Sequence, residues 1–139
     1  MKISVLLPYK ENFSPEYPGA VSVFLKDTVV KSKYKKNITI YGHTKFKKKL
    51  LKNYKNINFT RFFLRSSSKI YVKKFLENEK INKSKLIEIH NRPKYVKLIY
   101  KQNKNIVLYF HNNPLEMKLS HPQYFSVLLK RAWLQERES

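Results

Sequence analysis

Residues 85–93 read KLIEIHNRP, and this stretch decides the fold. A short run of strand-favouring residues ends in a His-Asn pair, and a proline follows where a helix can begin. Residues 105–114, NIVLYFHNNP, repeat the pattern of apolar run, His-Asn pair and proline. Short apolar runs that alternate with helical segments indicate parallel strands joined by right-handed crossovers.

The same alternation extends to both sides of this stretch. Strand candidates are short and nearly continuously apolar, whereas helical segments repeat apolar residues at three- and four-residue spacing. We predict strands at 2–7, 37–41, 57–63, 85–89 and 105–110, and helices at about 20–33, 45–55, 66–82 and 93–102. The expected fold class is α/β. It is a Rossmann-like three-layer sandwich with helices on both faces of a mostly parallel sheet, which has about five strands in the order 3-2-1-4-5.

The last part of the chain differs in composition from the rest. Residues 119–139 contain no Asn and the only Trp, and residues 122–135 could form a helix with an apolar side. We therefore expect a Rossmann-like domain over 1–118 and an atypical helical tail over 119–139. The tail fits a capping helix, a truncated end or a frameshifted end.

Composition limits the class of protein. The 139 residues are 42% hydrophobic, which suits one domain with its own core. The absence of cysteine removes disulfides and thiolate–zinc sites, and it suits a reducing cytoplasm. No run approaches the roughly 18 apolar residues of a membrane span, and the N-terminus lacks a signal-peptide cleavage site. We expect a cytoplasmic protein, and its charge would suit peripheral contact with the inner face of the membrane.

The formal net charge of +21 attracts polyanions or anionic lipid headgroups. A compositional bias explains the same number, because Lys, Asn, Ile and Tyr are abundant together and all have A/T-rich codons. Such a bias would spread lysine over the whole solvated surface. The charge alone does not choose between the two explanations.

The predicted topology places a site at one edge of the sheet. Ligands of open α/β sheets bind beyond the carboxyl ends of the strands, at the point where strand order reverses. Here that point lies between strands one and four, next to the loop at 9–18, Gly19 at the start of the first helix, and His90. His111 ends the neighbouring fifth strand. We predict that both imidazoles lie on this edge and that the backbone at Gly19 suits an anion.

Other constellations fail. The segment YPGAVS is neither a dinucleotide fingerprint nor a P-loop, and no G-x-S-x-G or H-E-x-x-H occurs. Asp27 is the only aspartate, so a metal held by acidic clusters is disfavoured. Either strand-end histidine could instead hydrogen-bond a loop carbonyl. His43 and His121 are expected on the surface.

Four segments together resemble a known family. They are KISVLLP at 2–8, YPGAVSVFLKD at 17–27, LIEIHNRP at 86–93 and VLYFHNNPLEM at 107–117. The chain resembles, over residues 1–118, the N-terminal half of GT-B-fold glycosyltransferases of the retaining family 4 type. The family's Gly-Gly pair before the first helix is half present, as Pro18-Gly19. Its strand-four and strand-five histidine motifs match His90 and His111.

The resemblance implies a site and a mechanism. The backbone of Gly19 would lie near the donor diphosphate, and His111 would be the catalytic contact to the transferring sugar or its phosphate. His90 and the loop after strand one would shape the acceptor pocket. No metal and no cofactor is expected, since the nucleotide-sugar is a substrate. The further substrate-binding residues that the resemblance implies are Tyr9, Lys10, Glu11, Tyr17, Asn91 and Asn112.

The resemblance also implies partners. The family's second Rossmann domain, with its paired-glutamate signature, binds the nucleotide-sugar and is absent here. We therefore expect negligible transfer by this chain alone, a missing C-terminal domain or a second chain as partner, and a glycan or lipid-linked acceptor. Surface-polysaccharide or lipid-linked glycan synthesis is the expected setting.

Two other functions compete with this one. A basic nucleic-acid-binding module would use lysine for phosphates and aromatic rings for stacking. No recognition motif for nucleic acid appears, and most aromatics occupy predicted core positions. A receiver-like domain needs clustered acidic residues after strand one, and the chain has no such cluster there.

Overall fold

The computed structural model describes residues 1–60, 66–103 and 105–112. Its sheet has five strands, all parallel, in the order β3-β2-β1-β4-β5, so the predicted fold class and strand order are confirmed. The strands are β1 (Ile3–Leu6), β2 (Ile38–Gly42), β3 (Tyr54–Asn56), β4 (Leu86–His90) and β5 (Ile106–Tyr109). The helices are α1 (Ala20–Lys31), α2 (Ser67–Asn82), α3 (Pro93–Ile99) and a short 3₁₀ helix (Lys35–Asn37).

Both faces of the sheet are covered, which explains the continuous apolar runs. All four residues of the central strand β1 are buried. Leu6 belongs to a core cluster formed with α2 and α3, and Val5 belongs to a second cluster formed with α1. Because side chains alternate along a strand, alternate residues of β1 face the two cores.

Local signals fix the helix ends. Ser66 caps α2, since its Oγ accepts a hydrogen bond from the Lys69 N–H at 3.2 Å. Lys83 ends α2 in the left-handed region, with a φ of 50°. Pro93 occupies the first turn of α3, as the sequence predicts.

A buried polar network ties α2 to the amino ends of the strands. The Glu79 carboxylate, on α2, accepts hydrogen bonds from the hydroxyls of Ser4 and Ser84. Asn82 donates to the Ser4 hydroxyl at 3.2 Å. Glu79 is only 9% exposed, so its charge depends on these donors for the solvation that water would otherwise give.

Two predicted elements are wrong. Residues 45–53 are not helical, and β3 is Tyr54–Asn56 rather than residues 57–63, of which 61–63 lie outside the described residues. The 45–55 segment is rich in lysine, and its apolar residues Leu50, Leu51 and Tyr54 pack against the core cluster of α1 without a helix, so tertiary contacts override the helical spacing. Tyr54 instead stacks on Phe13 at 5.0 Å, and its burial draws the segment into the sheet.

The predicted tail helix at 122–135 lies outside the described residues. None of the helices in the described ranges combines the length and apolar character needed to cross a membrane.

Candidate functional site

The carboxyl ends of β4 and β5 bring the two histidines into contact. His90 is the last residue of β4 and pairs with Tyr109 of β5 in the parallel register. His111 follows two residues later, and its Nε2 lies 2.7 Å from Nδ1 of His90. The rings stack with centroids 5.1 Å apart. The switch-point prediction that both rings lie on one edge of the sheet is thus met by the geometry.

Glu88 extends this pair into a chain of three side chains. It precedes His90 by two residues and therefore lies on the same face of β4. Its Oε1 lies 2.5 Å from Nε2 of His90. The His90 side chain is fully buried, whereas that of Glu88 is 29% exposed. The result is a hydrogen-bonded chain of one carboxylate and two imidazoles. It runs from Glu88 and His90 on β4 to the half-buried His111 just after β5.

Asn91 fixes the position of His111. It adopts a φ of 53°, a left-handed conformation that Asn tolerates better than most residues. Its Oδ1 accepts a hydrogen bond from the His111 N–H at 2.7 Å, and its own N–H donates to the Tyr109 carbonyl at 2.9 Å. The amide oxygen of Asn91 is therefore engaged within the protein. Asn112 is exposed beside it.

Two aromatic rings, which the sequence interpretation did not assign to the site, flank His111. Phe24 of α1 meets the imidazole edge-on at 4.8 Å, and Tyr109 lies at the same distance, in contact with Phe24 at 5.3 Å. Both rings are partly exposed, Phe24 at 36% and Tyr109 at 40%. The period of two along β5 could have identified Tyr109, because it shares a face with His111. Phe24 carried no such signal, since it also fits the apolar stripe of α1.

A carboxylate already occupies the N-terminus of α1. Oε1 of Glu11 accepts hydrogen bonds from the Ser22 N–H at 3.0 Å and from the Ser22 hydroxyl at 3.2 Å. A Cβ on Gly19 would lie 1.9 Å from that same oxygen. Gly19 is therefore needed for close approach and not for a special backbone angle, because its φ is −68°. The predicted anion position at Gly19 holds the protein's own anion.

The loop at 9–18 is held by its own polar groups. Asn12 donates to the carbonyls of Glu16 at 2.6 Å and Tyr17 at 2.7 Å, and the Gly19 N–H donates to the Asn12 carbonyl at 3.0 Å. Lys10 and Tyr17 are exposed and have positive φ values of 69° and 50°. Their side chains face solvent, and a ligand could contact them only from that side.

Tyr9 lies on the other face of the sheet from the histidine pair. Its N–H donates to the Tyr95 hydroxyl at 3.0 Å, and its ring packs against the core cluster of α2 and α3. His43 is half-buried beside it, with Nδ1 2.8 Å from the Ile57 carbonyl oxygen, so its prediction as a surface residue is wrong. The structure thus brings Glu11 and Gly19 close to the histidines but leaves Tyr9 in a separate environment.

The surroundings of His111 set its charge. Burial is the main cause that lowers the pKa of His111, and the neighbouring His90 lowers it further. The carboxylates of Glu11 and Glu88 act in the opposite direction and raise the pKa of His111, without outweighing burial. His111 is therefore neutral near pH 7 and able to accept a proton.

No cluster of three or more His, Asp or Glu side chains suited to a metal ion occurs within the described ranges. A surface groove of about 290 Å³ lies elsewhere, along α2 and α3. It is lined by apolar residues such as Leu98 and by the lysines at 69, 73 and 80. The groove contains none of the residues of the histidine site.

Comparisons of this chain with protein-family models, curated proteins and solved structures found no match. Any functional assignment therefore depends on the geometry of the site together with the resemblance of its motifs.

Proposed function

We propose that this chain is the N-terminal, acceptor-side half of a glycosyltransferase that moves a sugar from a nucleotide-sugar to a glycan or lipid-linked acceptor. The observation that carries the proposal is the contact between His90 and His111, 2.7 Å apart at the ends of neighbouring strands. The contact lies at the ends of β4 and β5, next to the reversal point of strand order between β1 and β4, where α/β sheets bind ligands. Three motif positions, Gly19, His90 and His111, meet in this one region.

The burial of the two rings supports different roles for them. His111 is half-buried, so it can touch a bound sugar or its phosphate, and the ring N–H that forms when it takes up a proton during the reaction would stabilise the leaving diphosphate. His90 is fully buried and bonded on both sides. In this proposal it supports His111 and does not itself line the acceptor pocket.

Glu11 adds a step to the proposal. The diphosphate of a nucleotide-sugar near Gly19 would compete with the Glu11 carboxylate. Both are anions, and both would accept a hydrogen bond from the same Ser22 N–H. Binding would therefore displace the Glu11 side chain. The displaced carboxylate would lie near the acceptor side of the cleft, in the loop that the resemblance assigns to the acceptor.

The proposal is tested by binding and turnover with the whole chain. Nucleotide-sugars with different bases and sugars are titrated into ¹⁵N-labelled protein, and the amides of Gly19, Ser22 and His111 are followed. We expect local, saturable shifts at these amides and negligible sugar transfer. Robust transfer would contradict the half-enzyme proposal, and the absence of any shift at millimolar ligand would contradict the site.

A second experiment distinguishes the glycosyltransferase proposal from nucleic-acid binding. The same protein is titrated with single- and double-stranded nucleic acid at several salt concentrations. Tight and steeply salt-dependent binding, together with no response to nucleotide-sugars, would favour the basic nucleic-acid-binding module instead.

A further inference from the structure

We propose that Glu88, His90 and His111 form a proton relay that makes Nδ1 of His111 the atom that takes the proton from the acceptor hydroxyl. His111 would be the catalytic residue, and Glu88 and His90 would be positioning residues. The identity of the hydroxyl rests on the proposed function. The relay itself is a property of three side chains and does not depend on it.

Two distances fix where the protons are. The Glu88 carboxylate only accepts, so Nε2 of His90, at 2.5 Å, carries a proton. A neutral imidazole has one N–H, so Nδ1 of His90 is an acceptor. Nε2 of His111, at 2.7 Å from it, must then donate. The remaining nitrogen, Nδ1 of His111, keeps its lone pair, and it has no hydrogen-bond partner among the described residues.

The charged and titratable groups around His111 come from three elements. Glu88 and His90 lie on β4, Tyr109 lies on β5, and Glu11 lies in the loop after β1. The ring from α1, Phe24, is apolar. Both carboxylates raise the pKa of His111 against burial, so a proton that arrives on the pair is stabilised without being held permanently.

The relay gives the arriving charge a place to go. When Nδ1 of His111 takes a proton, the proton on its Nε2 can pass to Nδ1 of His90. The positive charge then lies on His90, next to the Glu88 carboxylate at 2.5 Å, in a charge-assisted hydrogen bond. The charge then lies on the more deeply buried of the two rings, where the Glu88 carboxylate offsets the cost of its burial.

The chemical step balances within the proposed reaction. The O–H bond of the acceptor breaks, and its proton goes to Nδ1 of His111. The freed oxygen electron pair forms the bond to the anomeric carbon of the nucleotide-sugar on the face from which the diphosphate leaves, so the configuration of that carbon is retained. The bond from that carbon to the diphosphate oxygen breaks, and its electron pair leaves with the diphosphate. The extra proton on the relay returns to water after the product leaves.

The relay is tested by ¹⁵N NMR of the imidazoles in the whole chain, over a pH titration without nucleotide-sugar. At neutral pH we expect both histidines to carry their proton on Nε2. On acidification, Nδ1 of His111 should take up the next proton. Because the tautomers are measured in the unaltered protein, the test stands even if a variant does not fold. A proton on Nδ1 of His90 at neutral pH would overturn the proposal.

A variant pair tests the positioning role. Glu88→Gln keeps the size of the side chain but removes the charge, so His111 should titrate at lower pH. Glu16→Gln is the matched control, because Glu16 is exposed in the loop after β1. It should titrate as the unaltered protein does. An unchanged titration in Glu88→Gln would overturn the relay. A failure of nucleotide-sugars to bind would instead sink the proposed function, since no sugar enters this experiment.

Discussion

At the first turn of α1, the Glu11 carboxylate and the glycine at position 19 form a matched pair. The carboxylate bonds the Ser22 N–H, and only a residue without a Cβ leaves room for it. This arrangement satisfies an otherwise unpaired helix donor and places a negative charge where the helix dipole favours one. The sequence predicted an anion at this position but not that the protein supplies it.

Removing the charge of Glu11 should strengthen anion binding at α1. For Glu11→Gln we expect pyrophosphate to bind about fivefold more tightly, since losing one repelling charge near the site is worth about 1 kcal/mol. Isothermal titration calorimetry at low salt measures the change. Glu16→Gln, in the same loop and exposed, is the control and should bind as the unaltered protein does. Equal affinity for all three proteins would contradict competition at this helix end.

A methyl group at position 19 should act through Glu11. In Gly19→Ala the new Cβ meets the end of the flexible Glu11 side chain at 1.9 Å, so the carboxylate must leave its cap, and we expect a loss of about 1 kcal/mol in the free energy of unfolding. Urea denaturation measures this loss. In a Glu11→Ala background the same change should cost clearly less, because there is no carboxylate to expel. Equal costs in both backgrounds would show that the two positions are not coupled.

At the scale of the elements, α2 depends on one buried carboxylate for its attachment to the amino ends of the strands. Glu79 receives hydroxyl hydrogen bonds from Ser4 of β1 and from Ser84, just before β4. Glu77, two residues earlier on the same helix, is exposed and pairs with Lys74 at 3.2 Å. The two glutamates differ in burial and partners but share a helix, so they form a natural comparison.

Removing Glu79 should cost much more stability than removing Glu77. We expect Glu79→Ala to lower the free energy of unfolding by about 3 kcal/mol, because two buried hydroxyls lose their acceptor. Glu77→Ala should change it by about 0.5 kcal/mol or less, as for an exposed ion pair. Chemical denaturation of both variants measures the difference. Similar losses would mean that the buried network contributes little.

At the scale of the whole molecule, the depressed pKa of His111 should make stability depend on pH. The unfolded chain has the usual imidazole pKa of 6.5 and the folded protein a lower one, so the unfolded state binds more protons between the two values. The contribution of His111 to stability is therefore fully present above pH 6.5 and is lost as the pH drops through this window. His111→Gln should remove part of the loss. Urea unfolding at about pH 8 and about pH 5, compared between the two proteins, measures it; equal losses would contradict a depressed pKa.

The order of strands and helices was predictable because it follows from the spacing of apolar residues and from the residues that start or end helices. Apolar runs at β1, β4 and β5, the Ser66 cap and Pro93 gave the alternation of strands and helices, and the switch-point rule placed the histidines. The β3 region failed because Tyr54 is buried by tertiary contacts that no local pattern reveals. The hydrogen bond between His90 and Glu88 could have been predicted from the sequence, since the two residues lie on the same face of one strand. The Glu11 contact was not, because it depends on the path of an irregular loop.

The closeness of Glu11 and Gly19 has a consequence for evolution. In relatives of this protein, positions 11 and 19 should not mutate independently, because a side chain at 19 would occupy the space that the Glu11 carboxylate takes when it caps the helix. Sequences that carry alanine or serine at 19 should carry a shorter or uncharged residue at 11. Those that keep the glycine while losing the acid should be the ones in which this helix end accepts an outside anion without competition.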